Sequence, residues 1–365
     1  MHINKNIEKL KPYKLSTHKA WESIGDEDVL KLDWNEASCK PSPKVIHEVN
    51  NYILNGRLNW YPDVANTQLI RRLSEYTGND ENQIQYFGSS DYLQEYISLC
   101  YLDQDDKVLI LGPTYDNFRV TAESVGASPE YFYLDNNFKF NHKEFIKYAS
   151  KIDPKFIYIC NPNNPTGTLI DSKTIESLLI KLPKSMFLID EAYYEFSNIT
   201  CAPLVNKYEN IIISRTFSKA FAIAAFRVGY AISSEQNILN ISKIRNSKNI
   251  TQLSQIAAIA ALEDFAYTKK FIDEVGIAKK EFLQSLSLFK DFGIRPINGH
   301  GNYILISIKK EHKTDLISFL ENNKIFIRDY GHVKGMEDCI RITIGNSEQM
   351  NRVANTIKQF YADSS

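Results

Sequence analysis

Lys155-Phe156-Ile157-Tyr158-Ile159-Cys160 runs without a break into Asn161-Pro162-Asn163-Asn164-Pro165-Thr166-Gly167. A short apolar run rich in isoleucine and aromatic residues, stopped by a turn cluster, reads as a strand buried on both faces. The same pattern repeats on either side. Lys107–Leu111 ends at Gly112-Pro113, Met186–Ile189 ends at Asp190, and Ile211–Ser214 ends at Arg215-Thr216. Helical patterns lie between these runs, at Ser90–Tyr101, Tyr115–Val125 and Asp171–Leu182, the last with Asp171 as its N-cap. Apolar strands alternating with helices predict an α/β fold around a mostly parallel sheet, covered on both faces.

In such sheets ligands bind at the carboxyl ends of the strands. The chemically unusual residues of this sequence fall there: Tyr115, the turn 161–167, the segment from Asp190 to Tyr194, and the segment from Ser214 to Lys219. After about residue 246 the pattern changes. Gln252–Glu274 reads as one long helix, followed by strands at Tyr303–Ile308, Ile325–Arg328 and Cys339–Ile344. This predicts a large domain over residues 40–245 and a smaller α+β domain built from residues 1–39 and 246–365.

Composition narrows the function. A chain of 365 residues has room for both domains, and its 43% hydrophobic and 24% charged content is that of a globular protein. A net charge of -1 offers no field for nucleic acid or an anionic membrane, so attraction for phosphorylated ligands must come from individual arginines. Residues 1–10 are polar and lack the apolar region of a secretory signal, which points to a cytoplasmic protein. The five cysteines are scattered and form no Cys-x-x-Cys pair, as expected of free thiols in a reducing compartment. The seven histidines show no metal-binding spacing, so no metal is expected.

Three segments carry the chemistry. Two Asn-Pro steps within five residues, ending in Thr-Gly, are rarer than a generic turn requires. Asp190 ends a buried strand, where a carboxylate needs a cationic partner; a protonated pyridine nitrogen and an arginine both qualify. In Ser214-Arg215-Thr216-Phe217-Ser218-Lys219-Ala220 two hydroxyls precede a lysine, and Arg227 follows eight residues later. Hydroxyls plus a guanidinium suit a phosphate, and a lysine beside that phosphate stands where a Schiff-base lysine is needed.

Together these segments resemble the fold-type I pyridoxal-phosphate enzymes of the class I/II aminotransferases, and the histidinol-phosphate aminotransferase family in particular. The resemblance runs from Lys11-Pro12-Tyr13 through Asp33-Trp34-Asn35-Glu36 and Tyr61-Pro62-Asp63 to Arg341-Ile342-Thr343. It implies pyridoxal 5′-phosphate as cofactor, bonded to Lys219, which also shuttles the substrate proton. It implies that Asp190 pairs with the ring nitrogen, that Tyr193 and Asn164 bind the ring's 3-oxygen, and that Tyr115 stacks on the ring. Thr216, Ser218 and Arg227 would hold the phosphate, with backbone amides at Ser89, Ser90 and Asp91. Tyr61 of a neighbouring subunit would complete that site, which implies a homodimer. Arg341, Arg328, Tyr13 and Asn302 match substrate-binding positions.

Two segments depart from the family pattern. Gly88-Ser89-Ser90-Asp91-Tyr92 replaces its usual phosphate loop, and Arg245-Asn246-Ser247-Lys248-Asn249 lacks the prolines and the aromatic residue found in many of its members. Lys248 stands where that aromatic side chain would line the substrate pocket. A lysine there favours a small anionic substrate, unless it points to solvent. The expected reaction is amino transfer between an amino acid donor, glutamate, and a small phosphorylated carbonyl compound or amino alcohol of the histidinol phosphate or serinol phosphate type. The alternative is decarboxylation of a phosphorylated amino acid such as phosphoserine or threonine phosphate.

Overall fold

In the computed structural model, which describes residues 2–12, 19–23 and 25–363, twelve strands form two sheets among the described residues. Strand β1 is Leu30–Leu32. The larger sheet takes β2 (Ile84–Phe87), β3 (Lys107–Gly112), β4 (Ser128–Tyr133), β5 (Phe156–Cys160), β6 (Met186–Asp190), β7 (Ile211–Thr216) and β8 (Gly229–Ser233). The smaller one takes β9 (Arg295–Ile297), β10 (Tyr303–Ser307), β11 (Ile325–Asp329) and β12 (Cys339–Thr343), with β1 at its edge.

The large sheet has the order β2-β8-β7-β6-β5-β3-β4. Neighbours from β4 to β7 are parallel, and β8 is antiparallel to both β7 and β2. Alternate residues of its central strands feed two different cores. Leu109, Ile157, Ile159, Ile189 and Ile213 pack into one, while Ile110, Tyr158, Leu188 and Ile212 pack into the other. That is why these strands read as continuous apolar runs rather than as alternating ones. The carboxyl ends of β3, β5, β6 and β7 point the same way, bringing Tyr115, Asn164, Asp190 and Lys219 to one edge.

The smaller sheet has the order β1-β11-β12-β10-β9, with β1 parallel to β11 and the remaining pairs antiparallel. Its core joins Ile304, Ile306, Ile340 and Ile342 to Phe271, Val275 and Phe282 of a long helix.

The helix expected over Gln252–Glu274 is two helices, Gln252–Glu263 and Phe265–Ser287, broken at Asp264, whose backbone leaves helical space at φ -114°, ψ 43°. The break lets the two halves serve different cores. Ala257, Ala258, Ala260 and Ala261 are buried in the large core, where their small side chains admit the helices Pro43–Asn55 and Thr67–Thr77 closely. This helix thus sides with the large sheet although it follows residue 246. Asp171 does cap its helix, accepting from the Thr174 amide at 2.8 Å. Among the described residues, no helix is long and apolar enough to cross a membrane.

Candidate active site

Asp190 is the last residue of β6 and is 3% exposed. Its carboxylate accepts from the Tyr158 hydroxyl at 2.9 Å, from Gln94 Nε2 at 3.2 Å and from the Ala192 amide at 3.2 Å. All three donors are neutral. Burial pushes the Asp190 carboxyl up to about 6, with the Tyr158 hydrogen bond opposing the rise. A buried carboxylate with neutral donors alone suits a cationic partner such as a protonated ring nitrogen, which would bring its acidity back toward the ordinary value.

Register places Ser214 of β7 beside Asp190, and Lys219 follows five residues on. Lys219 Nζ donates to the Trp34 carbonyl at 2.8 Å and lies 5.9 Å from the centroid of the Tyr193 ring. Burial, with the Arg341 charge second, brings this amine down to about 8. A carbonyl acceptor orients the lysine without fixing its charge, so the neutral amine needed for attack on an aldehyde lies within reach of neutral pH.

A second group gathers where β7, β8 and the helix Ser90–Tyr101 meet. Thr216 donates to the Ser218 hydroxyl at 3.0 Å, and Arg227 reaches Ser218 Oγ at 3.3 Å and Asp91 Oδ2 at 3.1 Å. Tyr115 donates to the other Asp91 oxygen at 3.1 Å. Ser89 caps the helix by accepting from the Tyr92 amide at 3.1 Å, which turns the first amides toward the group. Gly229 permits the closure. A Cβ on it would lie 2.5 Å from the Ser90 nitrogen and 2.6 Å from the Ser89 carbonyl carbon. Hydroxyls, one guanidinium and a helix start form a cradle suited to a phosphate.

A third group lies toward the small sheet. Arg341, 4% exposed, donates through Nη1 to Asn164 Oδ1 and to the Tyr330 hydroxyl, and through Nη2 to the Asp33 carbonyl. Arg328 is its register partner across β11 and β12. Asn302 donates to the Asn35 carbonyl at 3.1 Å, and Asn35 donates to the Tyr193 hydroxyl at 3.0 Å. Among the described residues, Arg341 Nε and Asn302 Oδ1 are buried polar atoms with no hydrogen-bond partner. A polar ligand here would satisfy both.

The structure thus joins Lys219, Tyr193, Asn164, Arg341 and Asn302 through one network, with Asp190 at the strand end below and Ser89, Ser90, Asp91, Tyr115, Thr216, Ser218 and Arg227 in the cradle. Tyr61 and Lys248 stand apart and contact each other, with the ammonium 4.7 Å from the ring centroid. Tyr13 lies outside the described residues. Reading the sequence missed the partners of these groups. Trp34, Asn35 and Asp33 touch Lys219, Tyr193 and Arg341 in turn, so one N-terminal segment laces the site. Tyr158 carried a weak signal, as the one hydroxyl inside the apolar run of β5; Gln94 and Tyr330 carried none.

A family model described as aminotransferase class I and II matches residues 27–357. The chain is 45% identical over 364 residues to the dihydroxyacetone phosphate transaminase of Campylobacter jejuni, covering 99% of this chain and 97% of that one. It is 36% identical over 324 residues to the histidinol-phosphate aminotransferase of Ruminiclostridium cellulolyticum, covering 88% and 89%. Among solved structures it superposes on a histidinol-phosphate aminotransferase from Sinorhizobium meliloti in complex with pyridoxal-5′-phosphate. The TM-score is 0.89 at 21% identity, over 100% of this chain and 98% of that one.

Proposed function

The chain belongs to the aminotransferase class I and II family, and from that premise we propose that it uses pyridoxal 5′-phosphate to move an amino group from glutamate to a small phosphorylated carbonyl compound, dihydroxyacetone phosphate being the foremost candidate. The observation that carries the reading is Asp190, a buried carboxylate at a strand end whose donors are all neutral, with Lys219 three residues past the end of the adjoining strand. The 45% identity to a dihydroxyacetone phosphate transaminase supports the three-carbon substrate over histidinol phosphate.

When bound, pyridoxal phosphate supplies a protonated ring that accepts the electron pair left on the substrate carbon. The chain's own residues do the rest. Lys219 would hold the cofactor, and its free Nζ, an amine brought down to about 8, is suited to carrying a proton. Asp190 would hold the ring nitrogen protonated, and Tyr193 and Asn164 would bind the 3-oxygen. Tyr115 would stack on the ring. Thr216, Ser218, Arg227 and the amides at Ser89, Ser90 and Asp91 would bind the phosphate. Arg341 and Arg328 receive the substrate's phosphate and, alternately, the donor's carboxylates, with Asn302 and Tyr13 beside them.

Tyr61 completes the phosphate site of a neighbouring copy, so the working unit is a homodimer. Its support is a cluster of exposed apolar residues that a partner would cover: Leu54, Leu58, Trp60, Tyr61 and Val64. We place the protein in the cytoplasm. We also place the division between its two domains near residues 40 and 245, with the helix Gln252–Glu263 carried by the larger.

The test is to incubate purified holoprotein with glutamate and a panel of phosphorylated ketones and aldehydes, following 2-oxoglutarate and carbon dioxide together. Oxoglutarate formed with dihydroxyacetone phosphate is the expected result. Carbon dioxide released from phosphoserine or threonine phosphate, with no need for an oxo acid, would replace this reading with decarboxylation.

A further inference from the structure

Lys279 lies on the helix Phe265–Ser287 and reaches the loop that joins β9 to β10. Its Nζ donates to two carbonyls of that loop, Gly299 at 2.6 Å and Gly301 at 2.9 Å. Among the described residues no carboxylate pairs with it, and burial brings the ammonium down to about 8. A lysine that only covers apolar surface keeps its head in water. Here the head is drawn out of water and committed to two backbone oxygens, a cost that the loop must explain.

The loop has little stiffness of its own. Gly299 and Gly301 flank His300, and Gly301 has φ +103°, which L side chains rarely adopt. It meets the turn 161–167 backbone to backbone. The His300 amide donates to the Gly167 carbonyl at 2.7 Å, and a Cβ on Gly299 would lie 2.6 Å from the Gly167 Cα. The Gly167 amide donates to the Asn163 carbonyl at 2.7 Å, which also accepts from the Tyr303 hydroxyl at 2.5 Å. The loop is thus laid on the turn that carries Asn164. The Gly301 carbonyl shares a planar peptide unit with the Asn302 nitrogen, so holding it fixes the plane from which Asn302 starts. Asn302 is fully buried; its Nδ2 donates to the Asn35 carbonyl at 3.1 Å, and its Oδ1 has no partner. An acceptor kept for a ligand gains from a backbone that is fixed before the ligand arrives.

We propose that Lys279 is a positioning residue for substrate: by clamping the carbonyls on both sides of His300 it holds Asn302 in place and ties the loop to the turn that carries Asn164. An ammonium suits this task better than a hydroxyl, because three N–H donors diverge from one atom and two carbonyls must be reached at once. The proposal rests on the reading that Asn302 binds substrate. It does not extend to the cofactor, whose groups Asp190, Thr216, Ser218 and Lys219 stand at the ends of β6 and β7.

The test is a cycle of holoenzyme variants, Lys279→Met, Asn302→Ala and the two combined. Each is read by its KM for dihydroxyacetone phosphate with glutamate saturating, by kcat, and by the dissociation constant for pyridoxal phosphate. Lys279→Met should raise KM on the order of tenfold, with kcat falling no more than about threefold and cofactor affinity unchanged. Asn302→Ala should raise KM by a similar factor. The double variant should be no worse than Asn302→Ala alone, since a lysine that acts through Asn302 then has nothing left to position. Lys279→Arg, which keeps the charge and the donors, should restore most of the affinity. Should the methionine variant not fold, Lys279→Gln, with an N–H donor on a shorter side chain, carries the same prediction. A raised KM in Asn302→Ala beside an unchanged KM in Lys279→Met overturns the proposal alone, even if Lys279→Met unfolds in less urea. KM effects that multiply in the double variant overturn it as well. An Asn302→Ala variant with the wild-type KM removes the reading of Asn302 and the proposal with it.

Discussion

Arg328 and Arg341 stand directly opposite one another on the antiparallel strands β11 and β12, and both are buried. Residues opposed in this way have Cβ atoms about 5 Å apart, and like charges there oppose folding. Two buried guanidiniums at one register point suit a site that receives an anion, which relieves the repulsion when it binds. Arg341→Met should lower kcat/KM by roughly 100- to 1000-fold, as expected for two charge-assisted hydrogen bonds, and Arg328→Met should raise KM by about tenfold. Steady-state kinetics with the phosphorylated acceptor measure both. An Arg341 variant with unimpaired kcat/KM would move the anion site elsewhere.

Lys219→Ala should remove nearly all turnover together with the borohydride-reducible attachment of pyridoxal phosphate. The low pKa gives a second readout. With the amine at about 8, the rate at which cofactor-free protein captures pyridoxal phosphate should climb through about pH 8 and level off above it. A rate still climbing toward pH 10 would mean that burial does not lower this amine.

Asp190 links the site to stability. Burial raises its carboxyl from the ordinary 3.8 to about 6. Between those values the folded chain holds a proton that the unfolded chain has released, so the stability of cofactor-free protein falls as pH rises through this window. The loss is roughly 3 kcal/mol at most. Asp190→Asn removes it, so between about pH 4 and pH 6 the variant's unfolding free energy should gain up to about 3 kcal/mol relative to the wild type's. Glu195, pushed up to about 7 by burial, acts with the same sign in both proteins and cancels in the comparison. Parallel curves would show that Asp190 ionises normally.

How much of this was legible follows from what a linear pattern records. The strand runs 107–111, 155–160, 186–189 and 211–214 were readable because a sheet buried on both faces needs unbroken apolar segments. β4 was not, since its residues are half-buried and include Pro129 and Glu130. Lys219, Asp190, Thr216, Ser218 and Arg227 were legible because they sit at strand ends or at fixed spacing beside them. Trp34 gave no such sign. It acts through its backbone carbonyl, which every residue possesses, and its partner is 185 positions away. Tyr330 and Asn164 likewise meet only through the pairing of two lobes. The break at Asp264 was hidden because the residues on both sides of it are good helix formers, and what divides them is the presence of two separate cores.

Gly229 tests the phosphate cradle. A Cβ there would press on backbone atoms of Ser89, Ser90 and Arg215, at 2.6, 2.5 and 2.9 Å, none of which can swing aside as a side chain would. Gly229→Ala should therefore push the helix start away from β8. We expect a loss of about 1–3 kcal/mol in stability and a rise of at least about tenfold in the dissociation constant for pyridoxal phosphate. Equilibrium dialysis of the variant reads the second effect. Destabilisation with unchanged affinity would show that these amides do not hold the phosphate.

Arg215 lies between the two ends of the proposed cofactor site, one residue from Thr216, and pairs with Glu191, one residue from Asp190. The two side chains are 2% and 0% exposed and meet at 2.9 Å. Glu191 also accepts from the Cys201 amide at 2.6 Å, Arg215 donates to Thr200 at 2.7 Å, and the Tyr194 ring covers the guanidinium at 3.8 Å. An ion pair this enclosed gains little net stability over apolar groups of similar size, but removing one member strands the other's charge in the interior. Arg215→Met alone should cost about 3–5 kcal/mol, while Arg215→Met combined with Glu191→Gln should recover most of that loss. Urea unfolding of the two single variants and the double variant measures the coupling. Additive costs would mean that the two side chains act independently, whereas strong coupling would show that the pair is buried as one unit between Asp190 and Thr216.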